Sequence, residues 1–236
     1  MKRSKISIII PIYNEAKILS ESLQKIRNQI SKTNHVGEIL LVDGGSTDQT
    51  VDVAKKIKGI QLIHSKKGRP IQMNFGAKYA QFEVLYFLHI DSYPPKNFDQ
   101  LIINEISKGH LAGCFRMKFR SHHSWLILIS WLTIFNSQAC RGGDQSQFIT
   151  QELFFEIGGY PEDYLIYEDQ ILINQLYQRQ QFKVIPHWLT TSARRFEEVG
   201  VWRLQLIFWK IYWLKWSGKS PNEIYQYYQS KFSSSK

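Results

Sequence analysis

Short, wholly apolar runs alternating with segments of helical periodicity constrain this chain more than any other feature of it. Ile6–Ile12 is apolar almost throughout, which marks a strand covered on both faces, because a strand with one wet face alternates apolar and polar side chains. In 16–30, Leu19, Leu23, Ile26 and Ile30 then recur at helical spacing. The pattern repeats through a strand over 38–42, a helix to about Lys58 burying Val51, Ala54 and Ile57, and a strand over 60–63. A helix opened by Pro70, an apolar strand over 84–88 and a helix carrying Phe98, Leu101, Ile102 and Ile106 complete it. Four alternations with short connections predict an α/β fold with a parallel sheet and right-handed crossovers. Ser46-Thr47-Asp48-Gln49 fits a capping box, with Ser46 capping the second helix and Gln49 reaching back.

Beyond residue 110 the pattern is less regular. Residues 111–117 read as a strand; 125–135 are nearly all apolar, broken by Ser130 and Thr133, and too short to span a bilayer. Arg141-Gly142-Gly143-Asp144-Gln145 is a loop, Thr150 caps a short helix to Ile157, and Gly158-Gly159-Tyr160-Pro161 is a turn. Glu168–Gln178 reads as a helix, 182–185 as a strand, and Val201–Trp216 as a long aromatic helix. Only the tail Ser233-Ser234-Ser235-Lys236 looks loose.

Thirty Lys and Arg against twenty Asp and Glu leave a charge of +10. That surplus favours polyanions, phosphorylated small molecules or an anionic membrane surface, without choosing among them. Cys114 and Cys140 lack the spacing of a disulfide framework or a structural zinc site. The basic start Met1–Lys5 followed by an apolar run mimics a signal peptide, but the run breaks at Tyr13-Asn14-Glu15 with no small-residue cleavage site. The expected location is therefore the cytoplasm.

Three loops follow the carboxyl ends of predicted strands: Pro11-Ile12-Tyr13-Asn14-Glu15, Asp43-Gly44-Gly45-Ser46-Thr47-Asp48, and His89-Ile90-Asp91 ahead of Pro94-Pro95. Each alone is ordinary turn chemistry. Parallel strands bring such loops to one edge, where open α/β sheets bind ligands, so the three should share a cleft. Carboxylates there can accept hydrogen bonds from a base or ribose, the glycines allow close backbone approach, and cations from Lys66 to Arg69 can neutralise phosphate.

These motifs, with Gly68-Arg69, Gln72-Met73-Asn74-x-Gly76-Ala77, Gly143-Asp144-Gln145, Gly158-Gly159-Tyr160-Pro161, Glu168-Asp169 and Ser192-Ala193-Arg194-Arg195-Phe196, resemble family 2 glycosyltransferases in order, over about residues 6–228. The resemblance implies a GT-A fold, with a mostly parallel, Rossmann-like sheet. The expectation is one domain over 1–236: a nucleotide-binding half to 110, an irregular acceptor-side half over 111–198, and C-terminal helices over 199–232. It implies inverting transfer of a sugar from a nucleotide-sugar donor, most often a uridine diphosphate sugar.

Under the same resemblance, Asp43 with Gly44 and Ser46, and the loop of Pro11, Tyr13, Asn14 and Glu15, hold the nucleoside, with Arg69 nearby. Asp91 takes the last position of an Asp-x-Asp metal motif, Asp169 the base, and Arg194-Arg195-Phe196 lies beside diphosphate or acceptor. Asp144, Gln145 and Glu168 are further acceptor-side candidates. Carboxylate, phosphate and water ligands suit Mg²⁺ or Mn²⁺. Two residues depart from the pattern: His89 replaces the first Asp of the metal motif, leaving ligand, outer-sphere donor or packing open, and Ser192 stands where Gln is usual.

Glu168 and Asp169 point about 100° apart on a helix, so one should face the cleft, and the family motif favours Asp169. A nucleotidyltransferase wants a Gly-rich basic loop after the first strand, where Tyr13-Asn14-Glu15 stands instead. A polyanion or nucleic-acid binder leaves Asp43, Asp48, Asp91 and Asp169 unexplained, so no nucleic-acid partner is expected. The aromatic helix Val201–Trp216, with Arg203, Lys210 and Lys215, either packs on its own domain or lies against the inner face of a membrane. If it shares an exposed face with 125–135, a lipid-linked or otherwise hydrophobic acceptor follows.

Overall fold

A computed structural model describes residues 4–232; the first three residues and the tail 233–236, expected to be loose, lie outside the described residues. The first half runs β1 (Ile6–Ile12), α1 (Leu19–Arg27), β2 (Val36–Asp43), α2 (Thr50–Lys55), β3 (Gln61–His64), α3 (Arg69–Tyr79), β4 (Val84–Phe87), β5 (Ser92–Tyr93) and α4 (Phe98–Ser107). Strands β3, β2, β1 and β4 lie side by side in that order, all parallel, as the alternation predicts.

The apolar run of β1 serves two cores at once. Ile6, Ile8, Ile10 and Ile12 face α1 and α4, meeting Leu19, Leu23, Ile26, Phe98 and Ile102. Ile9 faces the other way, with Met73 and Ala77 of α3. With both faces covered, every position of the strand but Ser7 is apolar, and Ser7 is buried with its Oγ donating to Glu38 Oε1 at 2.6 Å.

The second half is β6 (Ala112–Phe119), α5 (Ser124–Leu132), β7 (Gln147–Thr150), α6 (Gln151–Glu156), α7 (Glu168–Gln178), β8 (Phe182–Thr191), α8 (Arg194–Val199), α9 (Val201–Trp216) and α10 (Pro221–Ser230). It continues the same sheet, giving eight strands in the order β3-β2-β1-β4-β7-β6-β8-β5. Strand β7, absent from the sequence-based reading, runs antiparallel to both β4 and β6 and joins the two halves. Strand β8 also runs past the expected 182–185: the ladder with β6 slips at Phe115/Arg116, passing Pro186 and His187, and then resumes to Thr191. Proline has no N–H to offer a ladder, so the slip falls where it must.

One local expectation is corrected. The capping box on α2 does not form; the helix begins at Thr50 without a side-chain cap. Ser46 Oγ instead accepts a hydrogen bond from Asn14 N at 3.0 Å. The Asp43 carboxylate accepts from the Gly45 and Ser46 backbone N–H groups in the same turn, so Ser46 is held toward the first loop by both contacts.

Candidate active site

The loops after β1 and β2 are stitched together. Asn14, in the left-handed region at φ 56°, accepts from Thr47 N at 2.8 Å, while Glu15 N donates to Thr50 Oγ1 at 2.8 Å and Ala16 N to Asp48 Oδ2 at 3.3 Å. Asp43, at the end of β2, is buried and also meets His64 Nδ1 at 3.2 Å. Burial pushes its pKa up, but the hydrogen bonds from Ser46, His64 and Gly45 outweigh it and hold the carboxyl below the ordinary Asp value.

Beneath them sits Gln72 of α3, whose Nε2 donates to Ile12 O at 2.9 Å and Val42 O at 2.7 Å, the last carbonyls of two neighbouring strands. A Cβ on Gly44 would meet Gln72 Cδ at 2.9 Å, so the glycine permits this approach. Gln72 belongs to a motif noted in the sequence, yet nothing in the spacing announces its role as a clamp.

The later part of the site is organised by Arg69, the first residue of α3. Its Nε donates to Glu168 Oε1 at 2.5 Å, and its Nη2 lies 3.7 Å from Asp169 Oδ1. Glu168 is completely buried, and its Oε2 has no hydrogen-bond partner among the described residues. Burial raises the Glu168 pKa, Arg69 draws it back, and the Asp169 charge raises it again. Burial alone would lower Arg69, but Glu168 and then Asp169 hold the guanidinium firmly charged.

The two neighbours on α7 therefore divide as helix geometry requires. Glu168 points inward to Arg69, and Asp169 lines a cleft with Pro11, Arg69, His89, Gln147 and Tyr160. Tyr167 precedes them at φ 78°, a conformation rarely adopted by a bulky residue, and this turn aims the start of α7.

The third loop closes the group. Asp91 lies near enough to Glu15 for its charge to matter: burial raises the Glu15 pKa, Arg194 opposes this, and Asp91 and Asp48 add to it. Arg194 Nη2 sits 3.5 Å from Glu15 Oε1. Arg195 instead packs over the rings of Tyr228 and Phe232, at 5.2 and 5.1 Å, and its pKa is lowered by burial against the opposing charge of Asp144. Asp144 is exposed.

Gln145, an acceptor-side candidate in the sequence, has its side chain turned inward. It is buried, accepts from Arg141 Nη1 at 3.3 Å and donates to Cys140 O at 3.2 Å, so it holds its loop from within. Arg141, which the sequence reading passed over, is buried with it and donates to Thr133 O at 2.8 Å.

No three His, Cys, Asp or Glu side chains converge as a ready metal cage among the described residues. Asp91 and His89 on one turn supply at most two ligands, and the negative charge of Asp91, which raises the Glu15 pKa, suits a cation that would complete its shell with diphosphate and water.

The parallel half with carboxylates at its strand ends, continued by an antiparallel strand and a later acidic helix, is a fold of the GT-A class. The sequence profile of glycosyl transferase family 2 matches residues 7–171, well over half of the chain, and the chain belongs to that family. Among curated relatives, a dolichyl N-acetyl-alpha-D-glucosaminyl phosphate 3-beta-D-2,3-diacetamido-2,3-dideoxy-beta-D-glucuronosyltransferase of Methanococcus voltae is 35% identical over 101 residues, 39% of this chain and 31% of its own length.

Among solved structures, S. aureus TarS 1–349 in complex with UDP-GlcNAc superposes with a TM-score of 0.65 at 22% identity, covering 80% of this chain and 58% of that one. The mannosyltransferase PcManGT of Pyrobaculum calidifontis, with GDP-Man and Mn²⁺, gives 0.61 at 18% identity over 80% and 57%. The chain thus spans about a third of the M. voltae relative and under two thirds of these structures.

Proposed function

We propose that the protein transfers a sugar, with inversion, from a uridine diphosphate sugar to the hydroxyl of a hydrophobic or lipid-linked acceptor. The observation that carries this reading is the Arg69 bridge, which fixes Asp169 in the cleft lined by Pro11 and His89 and commits Glu168 to a buried ion pair. Support comes also from TarS, solved with UDP-GlcNAc, and from the M. voltae relative, whose name carries a dolichyl N-acetyl-alpha-D-glucosaminyl phosphate.

In this reading Asp43, with Gly44 and Ser46, and the loop of Pro11, Tyr13, Asn14 and Glu15 hold the nucleoside. Arg69 and Arg194 supply positive charge to the diphosphate side. Asp91, with His89 beside it, would hold Mg²⁺ or Mn²⁺, which stabilises the charge building on the leaving diphosphate. Asp169 accepts the acceptor's proton as its oxygen attacks the anomeric carbon. The bond from that carbon to the phosphate oxygen breaks, and the nucleoside diphosphate leaves with the electron pair. A single displacement of this kind inverts the centre. Tyr212 of α9, 5.1 Å from Tyr167 and so next to the acidic pair, offers the acceptor an aromatic approach.

A screen of nucleotide sugars for binding and hydrolysis, with and without Mg²⁺ and Mn²⁺, tests the proposal. Asp91→Ala should abolish the metal-dependent part of donor binding. A variant that binds donor with undiminished metal dependence removes Asp91 from the site, and a screen in which no nucleotide sugar binds defeats the reading altogether.

A further inference from the structure

Helix α9 carries two apolar stripes on opposite sides. Leu204, Ile207 and Ile211 are buried against the protein. Across the helix, Trp202, Leu206, Trp209, Trp213 and Trp216 recur at alternating spacings of four and three, and each is about half exposed or more, with Trp216 reaching 84%. Of the twelve most exposed large apolar side chains among the described residues, ten lie on α9, on α5 or in the turn after α5. Trp125 joins the two helices, its ring 5.2 Å from Trp202 and 5.9 Å from Trp209, with Nε1 donating to Gln205. Patches of this concentration mark a surface that something covers.

Charge selects the occupant. The stretches 111–143 and 199–222 contain no Asp or Glu, although the chain has twenty, while Arg120, Arg203, Lys210 and Lys215 lie within them. Lys210 caps the Trp213 ring at 3.5 Å. Two copies meeting through this face would oppose like charges, whereas Trp and Lys together suit the boundary between lipid and water. No helix among the described residues is long and apolar enough to cross a bilayer, so contact is in the plane of the interface. We infer that α5 and the outer stripe of α9 form a docking surface for a bilayer containing anionic phospholipid. This holds independently of the sugar-transfer reading, because it rests on the exposure and charge of α5 and α9 and on none of the residues proposed to bind the nucleotide or act as base.

Flotation of the full chain with phosphatidylcholine vesicles, plain or containing about one third phosphatidylglycerol, tests it. The protein should float with the anionic vesicles, with a blue shift of tryptophan emission, and added salt should release much of it. Trp209→Ser/Trp213→Ser should weaken partition on the order of tenfold. Arg203→Gln/Lys210→Gln should weaken it roughly fivefold per charge on anionic vesicles alone. Unchanged thermal unfolding shows that each variant is folded. Protein that stays in the soluble fraction at both compositions overturns the inference. So does a Trp variant that floats as well as the parent, or a dimer dissolved by the same Trp substitutions in a chain that binds no vesicle.

Discussion

The strand-end loops and the α5–α9 side of this protein are built on opposite plans. Around Asn14, Asp43 and Thr50 nearly every polar group has a named partner, and the loops have little freedom left. On the outer faces of α5 and α9 the side chains are large, apolar and about half in water. The first plan fixes where a polar ligand sits before it arrives, which keeps the cost of ordering low on binding. The second leaves a surface whose partner is still to come. Helix α9 reaches the acidic pair through Tyr212, whose ring touches that of Tyr167, the residue just before Glu168.

Substitutions on the two sides should therefore differ in kind. Asp169→Asn should retain donor binding and lose about 10²–10⁴-fold in turnover, measured with any donor the screen identifies; retained turnover would place the base elsewhere. Arg69→Ala should destabilise by about 3–5 kcal/mol in denaturant unfolding, because it strands the Glu168 charge in the interior. Adding Glu168→Gln to that variant should recover much of the loss, and an additive double variant would show the pair is not coupled.

Asp43→Asn probes the same region by pH. A carboxyl held below its ordinary value, near 3.8, stabilises the fold above that value, and the contribution fades as pH falls through the folded-state pKa. The stability gap between parent and variant should be full at neutral pH and close in acid; a gap indifferent to pH would break the assignment. On the other side, Trp213→Ser should change unfolding stability by no more than about 0.5 kcal/mol, since its ring is half in water. A larger loss would mean that the outer stripe supports the fold.

What could be read in advance followed the range of the forces involved. Periodicity is local, so α7 and α9 fall where the pattern places them, and the parallel half follows from its alternating runs. Strand β7 escaped because Gln147–Thr150 is four residues long with polar ends, and only its neighbours β4 and β6 make it a strand. The capping box failed because a contact 32 residues away in sequence, from Asn14 to Ser46, won over a local one. The same limit applies within the site. Helix geometry separates Glu168 from Asp169, but nothing local reveals that Arg69 meets both, Glu168 at 2.5 Å and Asp169 at 3.7 Å. Gln72 and Gln145 look alike as letters, and only the carbonyls around them show that both serve the backbone.

The first turns of α3 act as a strut. Arg69 reaches α7, Gln72 one turn on grips the ends of β1 and β2, and Asn74 is bonded in both directions to Tyr160. Three polar side chains from the first turns of one helix thus tie the strand ends, α7 and the Tyr160 turn to a common rod, so the parts around the cleft are held by a helix rather than only by the loops that line it.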